Sequence, residues 1–213
     1  MFRYFLMLLL LSFAVACGGS DKPAPKTGGG DTEAVDEEED DIGISVRQTY
    51  SPDKGTAAVK GTIKFEGKAR SRAIDMGSEK YCEKCWEDGP PKSESLVVGE
   101  SGEMANVFVH ITSGLKNWKF EKGSGEVLID QIKCMYVPHV TGIQVGQTLK
   151  VANSDSVMHN IHATDKSGTD WFNQGQPNKG DVFTREVTED GFYTMKCDVH
   201  GWMAAYICVV KNP

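Results

Sequence analysis

The sequence has no apolar run long enough to cross a bilayer as a helix. The longest run, residues 4–16, is thirteen residues long and is interrupted by Ser12, whereas a spanning helix needs about 20. The sequence also lacks internal repeats and any long segment with the 3.6-residue apolar period of a helix. Basic residues are fewer than acidic ones, 23 against 30, so the chain lacks the positive charge that nucleic-acid binding requires.

The composition is that of one soluble globular domain with an added segment. Hydrophobic residues make up 39% of the 213 residues and aromatic residues 9%, which excludes collagen, a coiled coil and disorder of the whole chain. Residues 18–45 hold nine acids and two lysines, which accounts for the entire net charge of -7. The remainder is almost neutral, so the acidity says little about what the folded part binds.

The first residues have the pattern of an export signal. Arg3 precedes the apolar run, which ends in Ala14, Val15, Ala16 and Cys17, and this order predicts a signal peptide over residues 1–16. Small residues directly before a cysteine resemble the bacterial lipobox, which implies lipidation of Cys17 and membrane attachment through the lipid. Ordinary secretory cleavage is the alternative. We expect secretion across the inner membrane and a periplasm-facing lipoprotein at the outer membrane.

The segment after Cys17 is rich in glycine, proline and acidic residues. Such a sequence buries no apolar surface, so residues 17–55 are predicted to be a lipidated cysteine followed by a disordered, acidic tether. A docking tail for a basic partner is the alternative interpretation of the acidic run. The folded domain is predicted to occupy residues 56–213.

Short segments of β-branched and aromatic residues, bounded by Gly, Asn, Asp or Pro, dominate the rest of the chain. The predicted strands are residues 59–65, 106–111, 126–130, 149–152, 182–187, 192–197 and 204–210. Regularly spaced short strands predict an all-β antiparallel sandwich or barrel. Residues 66–95 have mixed polarity and are predicted to be loop with at most a short helix.

Metal-ligand chemistry is concentrated in the last sixty residues. The sequence NSDSVMHNIH begins at residue 153 and CDVHGWM begins at residue 197, and together they supply His159, Cys197, His200 and Met203. One thiolate, two imidazoles and a thioether are the soft donors that select copper in a blue-type site. Three of them lie on one tight loop between predicted strands, so they can converge on one ion.

At these residues the chain resembles the cupredoxin, or blue copper, family, and within it the plastocyanin and amicyanin type. The resemblance implies a Greek-key β-sandwich, here with an N-terminal elaboration, and one type 1 copper ion. It makes His159 and His200 the imidazole ligands, Cys197 the thiolate and Met203 the weak axial ligand. It also gives Asn160 the role of holding the two ligand segments together. Zinc is the chemical alternative, although zinc rarely uses a thioether.

Two further histidines are candidates for an altered site. His162 follows His159 by three positions, so strand alternation directs it to the opposite face, although a bend could return it to the metal. His139 lies in the sequence CMYVPHV, and no spacing argument places it in the site.

Four cysteines remain after Cys17 and Cys197 are assigned. Cys82 and Cys85 form a Cys-x-x-Cys pair followed by Trp86 rather than His, which breaks the pattern of c-type haem attachment. In an oxidising compartment two structural disulfides are expected. Three connectivities exist, and we favour Cys82–Cys134 with Cys85–Cys208.

The leading functional hypothesis is a single-electron carrier that is not an enzyme and has no small-molecule substrate. His200 is expected at the surface, with Trp202 in the docking patch for a redox partner such as a cytochrome or a dehydrogenase. The alternatives are a copper-handling lipoprotein without a redox partner, a red-type site with catalytic character that recruits His162 or His139, and a purely structural sandwich.

Overall fold

The computed structural model describes residues 48–212, except for residues 52, 54, 56 and 57. Within them the chain forms eleven strands and one short helix: Gln48–Thr49 (β1), Lys80–Lys84 (α1), Trp118–Lys119 (β2), Glu126–Ile132 (β3), Met135–Val137 (β4), Val140–Gln144 (β5), Thr148–Asn153 (β6), His159–Asp165 (β7), Asp170–Gln176 (β8), Val182–Glu186 (β9), Gly191–Lys196 (β10) and Ala204–Val210 (β11). No helix of this part of the chain is long and apolar enough to cross a membrane.

Two β-sheets form the body of the fold. One has the strand order β5-β11-β10-β7-β8 and the other β4-β3-β6-β9. Strand alternation directs Ile129, Leu149 and Val151 of the second sheet, and Ile161 and Ile207 of the first, into a fully enclosed core. The predicted all-β sandwich is confirmed.

The prediction that the strands pair antiparallel is wrong for two pairs within these two sheets. β3 pairs with β6 in parallel, and β5 pairs with β11 in parallel. The physical reason is the connectivity, because the chain passes from one sheet to the other between the members of each pair and returns in the same direction. In the five-stranded sheet β10 pairs antiparallel with β7, which places the start of β7 beside the end of β10, where the candidate ligands lie.

Two of the predicted strands do not form. Residues 59–65 make only an isolated bridge from Lys64 to Glu103, and residues 106–111 have no strand pairing. Val59 is fully exposed and Val109 is 74% exposed, so their alternating pattern has no sheet face to cover. Residues 66–95 contain α1 and otherwise no helix or extended strand, as predicted.

The predicted signal peptide, residues 1–16, and Cys17 lie outside the described residues, as does most of the predicted tether. Near its end, β1 pairs in parallel with β2, through Gln48 with Trp118 and Thr49 with Lys119. The boundary at residue 56 stays a prediction.

Candidate metal centre

Two adjacent strands of the five-stranded sheet bring the candidate ligands together. His159 begins β7, and the loop of residues 197–203 joins β10 to β11. β10 pairs antiparallel with β7, with Lys196 opposite His162, so Cys197 emerges beside the start of β7. The N–H of Asn160 donates to the Cys197 Sγ over 3.5 Å.

Three potential ligand atoms converge at this point. Donor atoms of His159, Cys197 and His200 all lie within 4.8 Å of one another, and all three residues are buried. The two Nδ1 atoms of the histidines are 2.9 Å apart, and the Cys197 Sγ lies 3.7 Å from the His200 Nδ1. The inner edges of both rings therefore face the same thiol.

These distances fit a shared metal ion. Imidazole nitrogen binds a first-row ion such as zinc at about 2.0 Å and thiolate at about 2.3 Å, so donors sharing such an ion lie less than about 4.3 Å apart. The separations of 2.9 and 3.7 Å satisfy that limit. Two imidazoles and a thiolate are also the donor types that suit copper.

A carboxylate fixes the orientation of the His159 ring. The outer Nε2 of His159 lies 3.0 Å from the Asp155 Oδ2, and since a carboxylate accepts, the Nε2–H donates. This leaves the inner Nδ1 as the His159 atom directed toward Cys197 and His200, so its lone pair becomes available to a metal once that nitrogen gives up its proton. Asp155 is held in turn by the backbone N–H groups of Lys133 and Cys134, each at 2.8 Å.

Hydrogen bonding overcomes burial in setting the charge of these groups. Burial works to raise the pKa of Cys197, but hydrogen bonds from His159 and His200 lower it to about 6. Burial works to lower the pKa of His159, yet its bonds with Asp155 and Cys197 raise it overall. Burial also works to raise the pKa of Asp155, and the bonds from His159 and Cys134 lower it. The site therefore favours a thiolate and an ionised carboxylate.

Asn160 links β7 to the loop. Its side-chain oxygen accepts from the backbone N–H of Asp198, and its Nδ2 donates to the Asp198 carboxylate at 3.0 Å and to the Asn173 oxygen at 2.9 Å. These contacts are of the kind that the resemblance implied for Asn160. They fix the loop directly beside Cys197.

Met203 lies at the base of the same loop and is 1% exposed. Its N–H donates to the His200 carbonyl at 2.9 Å, and its carbonyl accepts from the Cys197 N–H at 3.3 Å. These bonds close the loop into a tight turn. The role of Met203 as an axial ligand stays a prediction.

The other two candidate histidines have partners elsewhere. The Nε2 of His162 lies 2.8 Å from Asp170, and its Nδ1 lies 3.2 Å from Asp198. The hydrogen bonds with Asp170 and Asp198 raise the pKa of His162. His139 donates through Nδ1 to the Ala204 carbonyl at 2.9 Å. Neither joins the group formed by His159, Cys197 and His200.

One of the two predicted disulfides is present. Cys82 and Cys134 are bonded, with Cα atoms 5.5 Å apart, which confirms that pairing. The prediction of Cys85–Cys208 is wrong, because both cysteines are free. The physical reason is their placement: Cys208 lies within β11, paired with Phe192 on one side and Gly142 on the other, whereas Cys85 caps α1.

The expectation that His200 lies at the surface is also wrong. His200 is 5% exposed, because the Cys82 Sγ lies 3.9 Å from its outer Nε2 and the Trp202 ring packs against it with centroids 5.1 Å apart. Trp202 is itself half-buried, and its Nε1–H donates to the Cys134 carbonyl at 3.1 Å. These contacts make Trp202 part of the packing around the site.

Sequence reasoning overlooked Asp155. The available signal was a carboxylate four residues before His159, within the same polar motif. The contact between Cys82 of α1 and His200 was also not predicted. No local sequence pattern indicates it.

The solved structures similar to this chain include cupredoxins and a copper-containing nitrite reductase, whereas no protein-family model and no curated protein matches it. A purple cupredoxin from Nitrosopumilus maritimus is 31% identical, over 39% of this chain and 98% of that one, with a TM-score of 0.36. Amicyanin from Paracoccus versutus is 20% identical, over 39% and 80%, with a TM-score of 0.36. A copper-containing nitrite reductase from Thermus scotoductus SA-01 is 22% identical, over 41% of this chain and 23% of its own, with a TM-score of 0.36.

This chain and the purple cupredoxin share 31% sequence identity over 98% of the length of that protein. The pair of sheets and the group formed by His159, Cys197 and His200 agree with that identity. The chain therefore belongs to the cupredoxin family.

Proposed function

We propose that the protein is a single-electron carrier whose one copper ion is held by His159, Cys197, His200 and Met203. The observation that carries the proposal is the convergence of two imidazole Nδ1 atoms and one thiol within a buried group. Copper bound there would supply one-electron exchange between Cu(I) and Cu(II).

The residues around the site support electron transfer by their rigidity. Asp155 holds the His159 ring, Asn160 holds the loop beside Cys197, and the backbone bonds of Met203 close that loop. Ligands fixed on two elements need little rearrangement when the charge of the ion changes. The lowered pKa of Cys197, about 6, supports a thiolate that is ready to bind at neutral pH.

The proposal of a carrier rather than an enzyme is supported by the enclosure of the site. Cys197 is 2% exposed, His159 is fully buried and His200 is 5% exposed, which leaves little room for a small-molecule substrate. The two histidines that a red-type catalytic site would recruit, His162 and His139, are engaged with Asp170 and Ala204.

The burial of the ligands also favours an electron carrier over a copper-handling protein. A handling protein must exchange its ion readily, whereas buried ligands favour retention through many redox cycles. We therefore expect copper release to be slow when a chelator competes for the ion.

We further propose that the carrier works near a membrane, anchored through a lipid on Cys17 with the acidic tether giving it reach. Its partner would be a redox protein such as a cytochrome or a dehydrogenase, docked at the ligand loop near Trp202. Support for an apolar contact there comes from Val199, which lies beside His200 and is 53% exposed. Small, transient interfaces of this kind suit electron-transfer partners.

The test is the spectrum of the full-length protein after addition of one equivalent of Cu(II). An intense copper–thiolate absorption band with a narrow copper hyperfine splitting in the EPR spectrum is expected. The variant Cys197→Ala should lose the band completely. Cys208→Ala is the matched control, because it removes a buried free cysteine within β11 and should keep the band. A wild-type protein without a thiolate band would overturn the proposal.

A further inference from the structure

One covalent bond, the Cys82–Cys134 disulfide, joins the two segments that lie behind the outer edges of the candidate imidazole ligands. Their inner Nδ1 atoms face each other and Cys197, so their outer Nε2 atoms point away from the group. The Nε2 of His159 meets Asp155 and the Nε2 of His200 meets the Cys82 sulfur. The disulfide joins the segments that carry these two contacts.

On the His159 side, the disulfide is linked to the ring through Asp155, which is bound by the turn between β3 and β4. Lys133 and Cys134 have positive φ angles of 51° and 59°, and successive N–H groups in such turns form a concave anion site. Here they donate to the two oxygens of Asp155, each at 2.8 Å. The position of Cys134 therefore sets the position of Asp155, and Asp155 sets the His159 ring.

On the His200 side the contact is direct. The Cys82 Sγ lies 3.9 Å from the His200 Nε2, and Cys82 is fully buried. Cys82 belongs to α1, a helix of five residues. A helix this short is not stable alone, so its place over His200 depends on what fastens it to the sheets.

Hydrogen bonds from two tryptophans also hold α1 and the ligand loop to the turn of Lys133 and Cys134. Trp86, just after α1, donates through Nε1 to the Lys133 carbonyl at 2.8 Å, and Trp202 donates to the Cys134 carbonyl at 3.1 Å. The Lys133 ammonium also lies over the Trp86 ring, 5.2 Å from its centroid. The turn is thus bound on its N–H side by Asp155 and on its carbonyl side by the tryptophans.

We infer that the Cys82–Cys134 disulfide is a positioning element of the metal centre: it holds the His159 ring through Asp155 and shields the outer edge of His200 from solvent. This inference rests on the proposed function, since it assigns the residues that control how firmly the same site keeps its metal. Outer partners of metal ligands are worth about 10–100-fold in metal affinity. Loss of the disulfide should therefore loosen both imidazoles at once.

The experiment compares two double variants of the full-length protein. Cys82→Ala/Cys134→Ala removes the disulfide, and Cys85→Ala/Cys208→Ala removes the same number of cysteines but keeps it. After loading with Cu(II), the first variant should release copper to a competing chelator at least about tenfold faster than wild type. The second should release copper at the wild-type rate.

A second measurement needs no metal. Diethyl pyrocarbonate modifies accessible neutral imidazole, and peptide mapping identifies which histidine has reacted. At an alkaline pH, where His162 is neutral despite its raised pKa, the buried His200 of the metal-free wild type should react far more slowly than His162, whose side chain is 26% exposed. In Cys82→Ala/Cys134→Ala, the reaction at His200 should accelerate several-fold, while that at His162 should not change.

If the double variant does not fold, Asp155→Asn tests the link from the disulfide to His159. This variant retains the disulfide and loses the carboxylate between Cys134 and His159. It should release copper faster while His200 stays protected from diethyl pyrocarbonate. Unchanged copper release together with unchanged His200 protection after removal of the disulfide would overturn the inference. A wild-type protein that never forms the copper–thiolate band would overturn the proposed function instead, and the protection of His200 would still decide the inference.

Discussion

The inner and outer sides of the two imidazoles are built in different ways. On the inner side, Cys197 and His200 are three residues apart on one loop, and β7 supplies His159. On the outer side, Asp155 lies only four residues from His159, but other contacts join residues 74, 118 and 68 positions apart: Tyr81 with Asp155, Cys82 with His200, and Cys134 with Trp202. The inner side depends on the chemical type of its donor atoms, namely two imidazole nitrogens and one thiol. The outer side depends on where the folded chain places the groups that contact the rings.

The largest expected effect concerns the inner side and is measured without metal. The pKa of Cys197 is lowered from 9.0 to about 6, which is about a thousandfold in acidity. Burial opposes this, and the bonds from His159 and His200 produce it. Thiolate absorbance in the ultraviolet should therefore rise with pH around a midpoint near 6 in the folded protein. Cys197→Ala should abolish this rise, and a midpoint near 9 would contradict the arrangement of the two rings.

The next effect tests the link between the two sides. Asp155→Asn leaves one acceptor oxygen for the N–H groups of Lys133, Cys134 and His159. Copper affinity should fall about 10–100-fold, as measured by competition with a chelator. Asp190→Asn is the control, because Asp190 pairs with Lys211 at the surface and its loss should not change the affinity. Equal affinity for both variants would show that the outer side does not influence the inner one.

A smaller effect is expected for Asn160, which joins β7 to the ligand loop. Asn160→Ala leaves the Asp198 N–H without its acceptor and should lower the free energy of unfolding by about 1–3 kcal/mol. Urea denaturation of the metal-free protein measures this change. Asn173→Ala should have a smaller effect, because Asn173 is exposed and its side chain contacts only other side chains, Asn160 at 2.9 Å and Asp198 at 3.5 Å. An equal loss in both variants would contradict a special role for Asn160.

The smallest effect is expected for His162, which belongs to neither side. His162→Gln removes partly exposed pairs with Asp170 and Asp198, which are worth about 0.2–1 kcal/mol. Because these carboxylates raise the pKa of His162, the stabilisation is complete below its ordinary pKa and is lost as pH rises through the raised value. The difference in unfolding free energy should therefore vanish at alkaline pH. A changed copper spectrum would place His162 in the site after all.

The inner side of the two imidazoles could be predicted from the sequence, whereas most of the outer side could not. Donor types at short spacing identified His159, Cys197 and His200 as a group, because the loop that carries two of them is local. The burial of His200 could not be predicted, because it depends on α1, more than a hundred residues earlier. Of the two predicted disulfides, only Cys82–Cys134 is present. The pairing could not be derived from the sequence, because neither alternation nor spacing indicates which cysteines the folded chain brings together.

The strands show the same distinction. Residues 204–210 were predicted with their observed bounds, because they alternate and lie between two partners. Residues 106–111 have an equally strong pattern but no neighbouring strand. Strand alternation was expected between His159 and His162, but no range was predicted for β7, because His159, Asn160 and His162 mask its apolar pattern. Strand propensity describes suitability for a sheet, and pairing decides whether the strand exists.

The Cys82–Cys134 bond also has a consequence for the order in which the protein matures. Cys134 lies in the same buried space as Asp155 and His159, and Cys82 touches His200. A nascent chain that meets copper before these two cysteines join presents three thiols around the same imidazoles, and Cu(I) prefers thiolates. Oxidation before metallation leaves Cys197 as the thiol that faces both rings. We therefore expect that forming the disulfide before metal binding would limit the thiol donors at the two imidazoles to Cys197.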